Sequence, residues 1–554
     1  MRHMLLQKTI KNFTQNPKND ILSGITVALA LVPEAVAFAF VAGIDPLVGL
    51  YGAFMMGIIT SLFGGRPGMI SGATGAMAVV MVALVAKGNE VGLALEAPVE
   101  NLGLQWLFIT LLFVGIIQIL AGVFRLGKFV RLIPHPVMMG FVNGLAIVIF
   151  KSQLGLFPEL ATEGISFTEN MGAWFNAFFS SIDFWKMMGL IGLTMAIMYG
   201  LPKLTKKIPA ALAAIVVVAA IVIFGKVEVS TVGSFITDGG GTGLQGGLPT
   251  FQDQIFTLFY TIKGHFWTTI LPFAGILAAI GLIESLMTLN LIDEMTETRG
   301  SGNRECIAQG SANMLNGFFG GMGGCAMIGQ SIININSGGR GRLSGATAAI
   351  ALLCFILFAA PLIEQIPIAA LVGVMFMVVI GTFAWSSFRI LNKIPLSDAF
   401  VLIAVSFITV WQDLAIAVIA GVIMSALSFA WNSATRIRAR KSVKEDGTKV
   451  YAIWGPLFFG STTAFNSKFD IATDPEKIEI DFIESKVSDH SGVEALRNIA
   501  NKYMEQGKQV KLTHLSPDCK EMLVKWNPEF EDIIQEAIDD PRYHVVTSML
   551  DSEV

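Results

Sequence analysis

Long apolar runs separated by short polar ones fill the first four-fifths of the chain. An apolar run of about 17 to 25 residues is long enough to cross the ~30 Å hydrocarbon core of a bilayer as a helix. Such runs fall near residues 21–43, 46–63, 102–124, 130–155, 184–201, 208–224, 266–292, 304–319, 343–361, 366–384, 397–411 and 413–433. Two further runs, about 75–87 and 329–337, are too short to cross alone and read as half-helices. Each follows a glycine-rich break. The first break is Ser71-Gly72-Ala73-Thr74-Gly75-Ala76; the second runs from Gly320 to Ser331 and contains Gly323-Gly324-Cys325-Ala326-Met327-Ile328. The pattern predicts a polytopic α-helical membrane protein of about fourteen segments, seven on each side of the polar stretch 225–264.

The pattern changes after the basic stretch Arg436 to Lys441. Residues 448–554 are rich in charge and alternate strand-like runs (Val450 to Trp454, Ile478 to Phe482, Gln509 to Leu512) with helical ones (Val493 to Met504, Cys519 to Trp526). That alternation predicts a small α/β domain. The expected organisation is an N-terminal polar segment 1–20, a membrane part 21–435 with halves at about 21–224 and 265–435, a linker 436–447 and the α/β domain 448–554.

Charge placement orients the segments. Basic clusters lie before the first segment (Lys8, Lys11, Lys18) and after the second (Arg66). Others lie after the fourth (Arg125, Lys128, Arg131), the sixth (Lys203, Lys206, Lys207) and the eighth (Arg299, Arg304). The last follow the tenth (Arg340, Arg342), the twelfth (Arg389, Lys393) and the final segment (Arg436 to Lys441). The connection carrying Glu90, Glu96 and Glu100 is acidic instead. By the positive-inside rule both termini are cytoplasmic. Seven segments per half is an odd number, so the second half runs inverted relative to the first.

Composition narrows the function. The chain is 53% hydrophobic and 14% charged, against about 25% charged in soluble domains. Its net charge of -4 argues against a nucleic-acid partner. The four cysteines (Cys306, Cys325, Cys354, Cys519) form no CxxC pair, so neither a zinc framework nor a disulfide scaffold is expected. The first apolar run lacks the short core and cleavage site of a signal peptide. No nucleophile-and-base set points to an enzyme, and no cofactor is expected.

Paired breaks at matching places in two halves point to a secondary transporter, because half-helix N-termini can hold an anion. Thr74 either offers its hydroxyl there or caps the following helix, whose first N–H groups belong to Gly75 and Ala76. Ala326, Met327 and Ile328 present backbone groups at the second break, unless Gly323-Gly324 only permits close helix approach. Glu284 lies deep in an apolar run, where an ionisable group is costly and functional. It is a proton carrier, a carboxylate ligand for Na+, or a packing carboxylate paired to a neighbour. Thr288 is four residues on, on the same helix face. Glu34 follows Pro33 inside the first segment; it faces the cavity or satisfies backbone freed by the proline. Phe38 lines the cavity or packs.

Five motifs, in order, resemble the sulfate permease (SulP) family, called solute carrier family 26 in animals. They are Leu31-Val32-Pro33-Glu34-Ala35 with Gly43-Ile44-Asp45-Pro46; Ser71-Gly72-Ala73-Thr74; Gly281-Leu282-Ile283-Glu284-Ser285; Ser337-Gly338-Gly339-Arg340; and Asp489-His490-Ser491-Gly492. The last is similar to the Asp-x-Ser-Gly motif of STAS domains. The resemblance implies intertwined inverted repeats forming a core and a gate domain. It also implies substrate between the half-helix N-termini, an elevator motion and a homodimer in lipid. Glu284 and Thr288 match the sodium-site positions of bicarbonate-transporting members, which carry Asp in place of the glutamate. Gln330 stands where many sulfate-transporting relatives have Arg. Losing that fixed charge leans toward a monovalent anion such as bicarbonate.

The expected function is therefore a secondary active inorganic anion transporter (bicarbonate or sulfate class) coupled to H+ or Na+. It resides in the plasma (bacterial inner) membrane. The alternatives are an organic-anion or nucleobase carrier, and a non-transporting membrane sensor that signals through its STAS domain. That domain would bind a cytoplasmic protein partner. Ser491 is phosphorylated in the matching motif of anti-sigma antagonists; here it is read as the cap of the following helix.

Overall fold

The structure is a computed structural model. It describes residues 16–94, 101–127, 134–154, 156–157, 182–205, 209–238, 246–253, 264–411, 414–526 and 528–535. Lys8, Lys11, Glu96, Glu100, Lys128, Arg131, Lys206 and Lys207, used above to orient the segments, lie outside the described residues. The chain divides into two compact units, residues 1–422 and 423–554.

The first unit is helical. In its first half, α1 (Pro17–Val41) and α2 (Pro46–Phe63) lead into a short strand β1 (Ser71–Ala73), followed by α3 (Gly75–Leu93), α4 (Leu102–Val123), α5 (His135–Leu154), α6 (Ile182–Leu204) and α7 (Ala210–Gly225). After a π-helical turn, Phe266–Ile270, come α8 (Leu271–Thr296), α9 (Gly302–Phe319), strand β2 (Gly324–Ala326), α10 (Ile328–Asn336), α11 (Arg342–Phe358), α12 (Ile368–Thr382) and α13 (Leu396–Trp411). Helix α14 (Leu414–Ala434) contains the division between the units. Every expected membrane segment coincides with one of these helices.

Two expectations need correction. Residues 75–87 read as too short to cross a membrane, but α3 continues to Leu93 and has 19 residues. At 1.5 Å per residue that is about 28 Å; only α10, with 9 residues, is a half-helix by length. Conversely, the run 304–319 read as an apolar span. Among the described residues eight helices are long and apolar enough to cross a membrane, and α9 is not one of them. Its buried face carries Gln309, Asn313 and Asn316, and these amides have internal work described below.

Local chemistry sets the helix ends. Pro46 opens α2, and the Asp45 side chain accepts the Leu47 N–H at 2.7 Å, a standard cap. At the other end of α2, Arg342 donates to the carbonyls of Ser61 (2.8 Å), Leu62 (3.1 Å) and Gly64 (2.6 Å), and Arg304 to that of Phe63 (2.8 Å). Guanidinium groups thus satisfy the last carbonyls of the helix and oppose its negative end. The buried Asp20 carboxylate accepts the N–H groups of Arg340 (2.9 Å) and Gly341 (3.1 Å), immediately before α11. Helices α4 and α9 pack closely because both carry glycine at the crossing. A Cβ added to Gly115 would lie 2.5 Å from the Gly310 carbonyl oxygen, and one added to Gly310 would lie 2.6 Å from that of Gly115.

The second unit is a five-stranded sheet with helices. Its strands are β3 (Arg438–Val443), β4 (Lys449–Trp454), β5 (Lys477–Glu484), β6 (Gln509–Thr513) and β7 (Ile534–Gln535), in that spatial order. The β3/β4 pair is antiparallel and the other pairs are parallel. The stretch 436–447, read as a linker, supplies strand β3. Helices α15 (His490–Glu505) and α16 (Pro517–Trp526) follow β5 and β6. Ser491 is not the cap of α15: Asp489 is, accepting the Gly492 N–H at 2.8 Å. The second Asp489 oxygen accepts the Phe459 N–H at 2.8 Å. A carboxylate at the N-cap outcompetes a hydroxyl two residues inside the helix. His490 is exposed and stacks on Trp526, ring centroids 4.1 Å apart.

One buried carboxylate organises this unit. Asp474 accepts hydrogen bonds from the Tyr451 hydroxyl (2.5 Å), the Tyr503 hydroxyl and the Lys449 ammonium. Burial pushes its carboxyl up, but the bonds from Lys449, Tyr451 and Tyr503 outweigh burial and leave it below the usual carboxylate range. A depressed folded-state value stabilises the fold above the unfolded carboxylate value, and the contribution is lost as pH falls through the folded one. Asp474→Asn is therefore expected to weaken this unit by about 1–3 kcal/mol at neutral pH, with the gap to wild type closing below pH ~4. Faster amide exchange at β4 and β5 in the full-length protein checks this; unchanged exchange at pH 7 contradicts it.

Candidate functional site

The two glycine-rich breaks meet. Strands β1 and β2 pair antiparallel, with Ser71 opposite Ala326, Gly72 opposite Cys325 and Ala73 opposite Gly324, and all six residues are buried. Only glycine fits at the tightest crossing: a Cβ added to Gly324 would lie 2.1 Å from the Gly72 carbonyl oxygen. In an apolar interior, backbone groups outside a helix must find partners in the protein. Asn313 supplies two, accepting the Gly324 N–H (2.9 Å) and donating to the Gly324 carbonyl (3.0 Å). The Ser285 hydroxyl accepts the Ala326 N–H (3.1 Å), and the Ser331 hydroxyl accepts the Ile70 N–H (3.0 Å). Asn316 donates to the Met322 carbonyl (2.8 Å).

Further amides hold these in place. Gln118 accepts from Asn313 (3.0 Å). Gln309 donates to the Ser71 hydroxyl (2.8 Å) and to Glu305 (2.7 Å), whose other oxygen accepts the Gly65 N–H (2.7 Å). The reading of the sequence did not single out these residues. The available signal was the spacing 309, 313, 316, which puts three amides on one face of a run read as apolar.

Helices α3 and α10 leave the ribbon at opposite ends, each with its positive end against it. Thr74 stands at the N-cap of α3 in extended conformation, yet its side chain makes no capping bond. Its hydroxyl lies 3.1 Å from the Cys325 thiol, which in turn donates to Glu284 Oε2 at 2.8 Å. Thr288, one turn after Glu284, donates to the main-chain carbonyls of Glu284 (2.8 Å) and Ala326 (3.4 Å). Thr74, Glu284, Thr288 and Ala326 are thus brought together around Cys325, a residue the sequence reading passed over.

The remaining predicted residues gather under α1. Phe38 packs on Gly75, where an added Cβ would lie 2.7 Å from its ring. Leu31 and Met327 cover Gly72 in the same way, at 3.3 Å and 3.0 Å. Glu34, one turn before Phe38, accepts a hydrogen bond from Gln330. Its carboxylate is therefore spent on another side chain, not on the backbone around Pro33. Gln330 is buried and Ile328 half-buried. The arrangement offers an anion two positive helix ends, and a single thiol, that of Cys325, links the Glu284 carboxylate to Thr74 at the N-cap of α3.

Comparison with known proteins decides what this assembly belongs to. A model of the sulfate permease family matches residues 18–405, and a STAS domain model matches residues 439–540. The chain belongs to the sulfate permease family. It is 41% identical to the putative sulfate transporter YbaR of Bacillus subtilis over 511 residues, 92% of this chain and 96% of that one. The solved transmembrane domain of a cyanobacterial bicarbonate transporter, BicA, is 31% identical, with a TM-score of 0.61 over 73% of this chain and 98% of that one. The structure of SLC26A9 shares the fold at 16% identity, with a TM-score of 0.76 over 100% of this chain and 95% of that one. The family consists of membrane anion transporters, not enzymes, and this chain is an integral membrane member with a C-terminal STAS domain.

The ribbon depends on single side chains for its backbone partners. Asn313→Leu leaves both the Gly324 N–H and its carbonyl unpaired in an apolar interior. The expected loss is about 2–5 kcal/mol, read as earlier thermal unfolding in detergent. Wild-type stability would contradict the account of the ribbon.

Proposed function

We propose that this chain is a secondary active transporter of a small inorganic anion, of the bicarbonate or sulfate class, driven by a cation gradient. The observation that carries the reading is the meeting of two positive helix ends at one ribbon, with Glu284 held against it. The anion would be bound by the first N–H groups of α3 (Gly75, Ala76), the Thr74 hydroxyl and the backbone of Ala326, Met327 and Ile328. Glu34 and Phe38 would wall the site from α1. Gln330 argues for a monovalent anion: a neutral amide, already bonded to Glu34, stands where a divalent anion would gain from a fixed cation. The bicarbonate transport named for BicA agrees with that preference.

Glu284 is the coupling group in this reading. Its carboxylate accepts one hydrogen bond, from a thiol, within a largely apolar helix. That setting suits a group that takes up and releases a proton. Sodium is the second reading, favoured by the Thr288 hydroxyl and the Ala326 carbonyl, 3.4 Å apart, one turn from Glu284. In either case neutralising Glu284 removes its charge from the loaded site, which then carries only that of the anion, facing two positive helix ends.

The two halves would form inverted repeats, with α1–α4 and α8–α11 as a core moving against a gate of α5–α7 and α12–α14. Both termini would be cytoplasmic in a plasma membrane, the chain would form a homodimer, and the STAS domain would be its regulatory contact with a cytoplasmic protein. Ser491, within the first turn of α15, would be the place of such regulation by phosphate.

Two experiments test this reading in proteoliposomes. Glu284→Gln is expected to abolish gradient-driven accumulation while anion exchange at zero gradient persists; gradient-driven uptake at the wild-type level would remove Glu284 from coupling. Deleting residues 448–554 is expected to lower assembly or rate but leave the preference between bicarbonate and sulfate unchanged; a switched preference would move the site out of the membrane part.

A further inference from the structure

The contact between Glu284 and the N-terminus of α3 is not direct. It runs through the Cys325 thiol, and its polarity is fixed by the chemistry of the three groups. An ionised carboxylate only accepts, so the thiol proton points at Glu284 Oε2, as the 2.8 Å donor contact has it. The sulfur is then left as an acceptor, and the hydroxyl 3.1 Å away, Thr74 Oγ1, must be its donor. While Glu284 is charged, the Thr74 proton is therefore committed to sulfur and withheld from the anion. A protonated Glu284 carries an O–H and reverses every link: the carboxyl donates to Sγ, the thiol donates to Thr74 Oγ1, and the Thr74 proton is released.

We propose that Cys325 is a positioning residue that couples the two sites, turning protonation of Glu284 into a free O–H donor at the anion site. The one covalent change is the O–H bond formed at Glu284; every other link that changes is a hydrogen bond. One proton enters at Glu284, and the S–H and O–H groups rotate. The inference rests on the reading of Glu284 as a proton carrier.

The surroundings leave this chain in charge of the carboxylate. The elements packed against α8 are α3, α4, α9, α10, β2 and the π-helical turn. Their titratable groups are Lys87 and Glu90 in α3, Arg304, Glu305 and Cys306 in α9, and Cys325 in β2; α4, α10 and the turn have none. Lys87, Glu90 and Arg304 are exposed, and Glu305 is engaged by Gln309 and Gly65. On α8 itself, Asp293 pairs with Arg66 and Glu294 is exposed. On α1, Glu34 is bonded to Gln330. Of all these, only Cys325 bonds Glu284.

The test is the KM for anion exchange with equal pH on both sides of reconstituted vesicles, between pH 8 and pH 6. Labelled sulfate and labelled bicarbonate are the probes, the latter counted as HCO3− at each pH. A hydrogen bond to a charged acceptor corresponds to a change of about tenfold or more, so wild-type KM is expected to fall about tenfold on acidification. Cys325→Ser keeps a group that both donates and accepts, and is expected to keep that fall. Cys325→Ala keeps Glu284 and its charge but breaks the chain, and is expected to give a flat KM. Thr74→Val removes the final donor and is expected to be flat at the high value. A tenfold fall retained in Cys325→Ala overturns the relay and leaves direct charge repulsion as the link. Loss of the fall in Cys325→Ser also overturns it, because packing rather than proton direction would then be at work. A fall retained in Glu284→Gln, or none in wild type, overturns instead the reading of Glu284 on which the relay rests.

Discussion

Backbone that leaves the helix inside a membrane has no water to bond, and this constraint explains most of what surrounds the ribbon. Two helix N-termini can face an anion at membrane depth only if the chain breaks before each of them, and every break exposes amides and carbonyls. Pairing β1 with β2 satisfies part of the need. The rest falls to side chains: Asn313 grips both backbone groups of Gly324, Ser285 takes the Ala326 N–H, and Ser331 takes that of Ile70. The amide-rich face of α9 follows from this task, and so does the Gly115/Gly310 crossing that lets α9 lie against α4. A helix that looks poorly suited to lipid is the one that makes the broken chain tolerable there.

The same economy of partners separates structural from chemical groups. Asp20, Arg66, Glu305 and Arg342 are charged and largely enclosed, yet each is used at a helix end or a turn of the backbone. Glu34 is tied to an amide. Glu284 differs: its partner is a thiol, a weak donor, and that thiol leads to a threonine at a helix N-terminus. A carboxylate so lightly held, one thiol from the N-cap of α3, is placed to change its charge without disturbing the scaffold.

Much of this was legible in the sequence. Hydrophobic run length located the long helices of the membrane part but not the short helix Val232–Asp238, which lies in the stretch read as polar; the two glycine-rich breaks located the ribbon, because glycine is what a close backbone crossing requires. Short strand-like runs found β4, β5 and β6. The strand β3 was hidden because its residues, Arg438 to Val443, are almost all exposed and carry no alternation. The length of α3 was misjudged because Lys87 and Glu90 interrupt its apolar character without interrupting its helix. The capping of α15 went to Asp489 because a charged oxygen reached the free N–H first. Cys325 escaped notice because pairing of its thiol with Glu284 is a tertiary event: the two residues are 41 positions apart. Sequence spacing reaches only neighbours on one helix, such as Glu284 and Thr288.

The most direct measurement is uptake of labelled bicarbonate and of labelled sulfate by the purified protein in liposomes, under an imposed H+ gradient and, separately, an imposed Na+ gradient. The account predicts accumulation above the equilibrium level for one of the two anions when the H+ gradient points inward, with bicarbonate favoured over sulfate. Mere equilibration of both anions under either gradient would contradict it, since Glu284 would then sit beside the anion site without coupling anything to it.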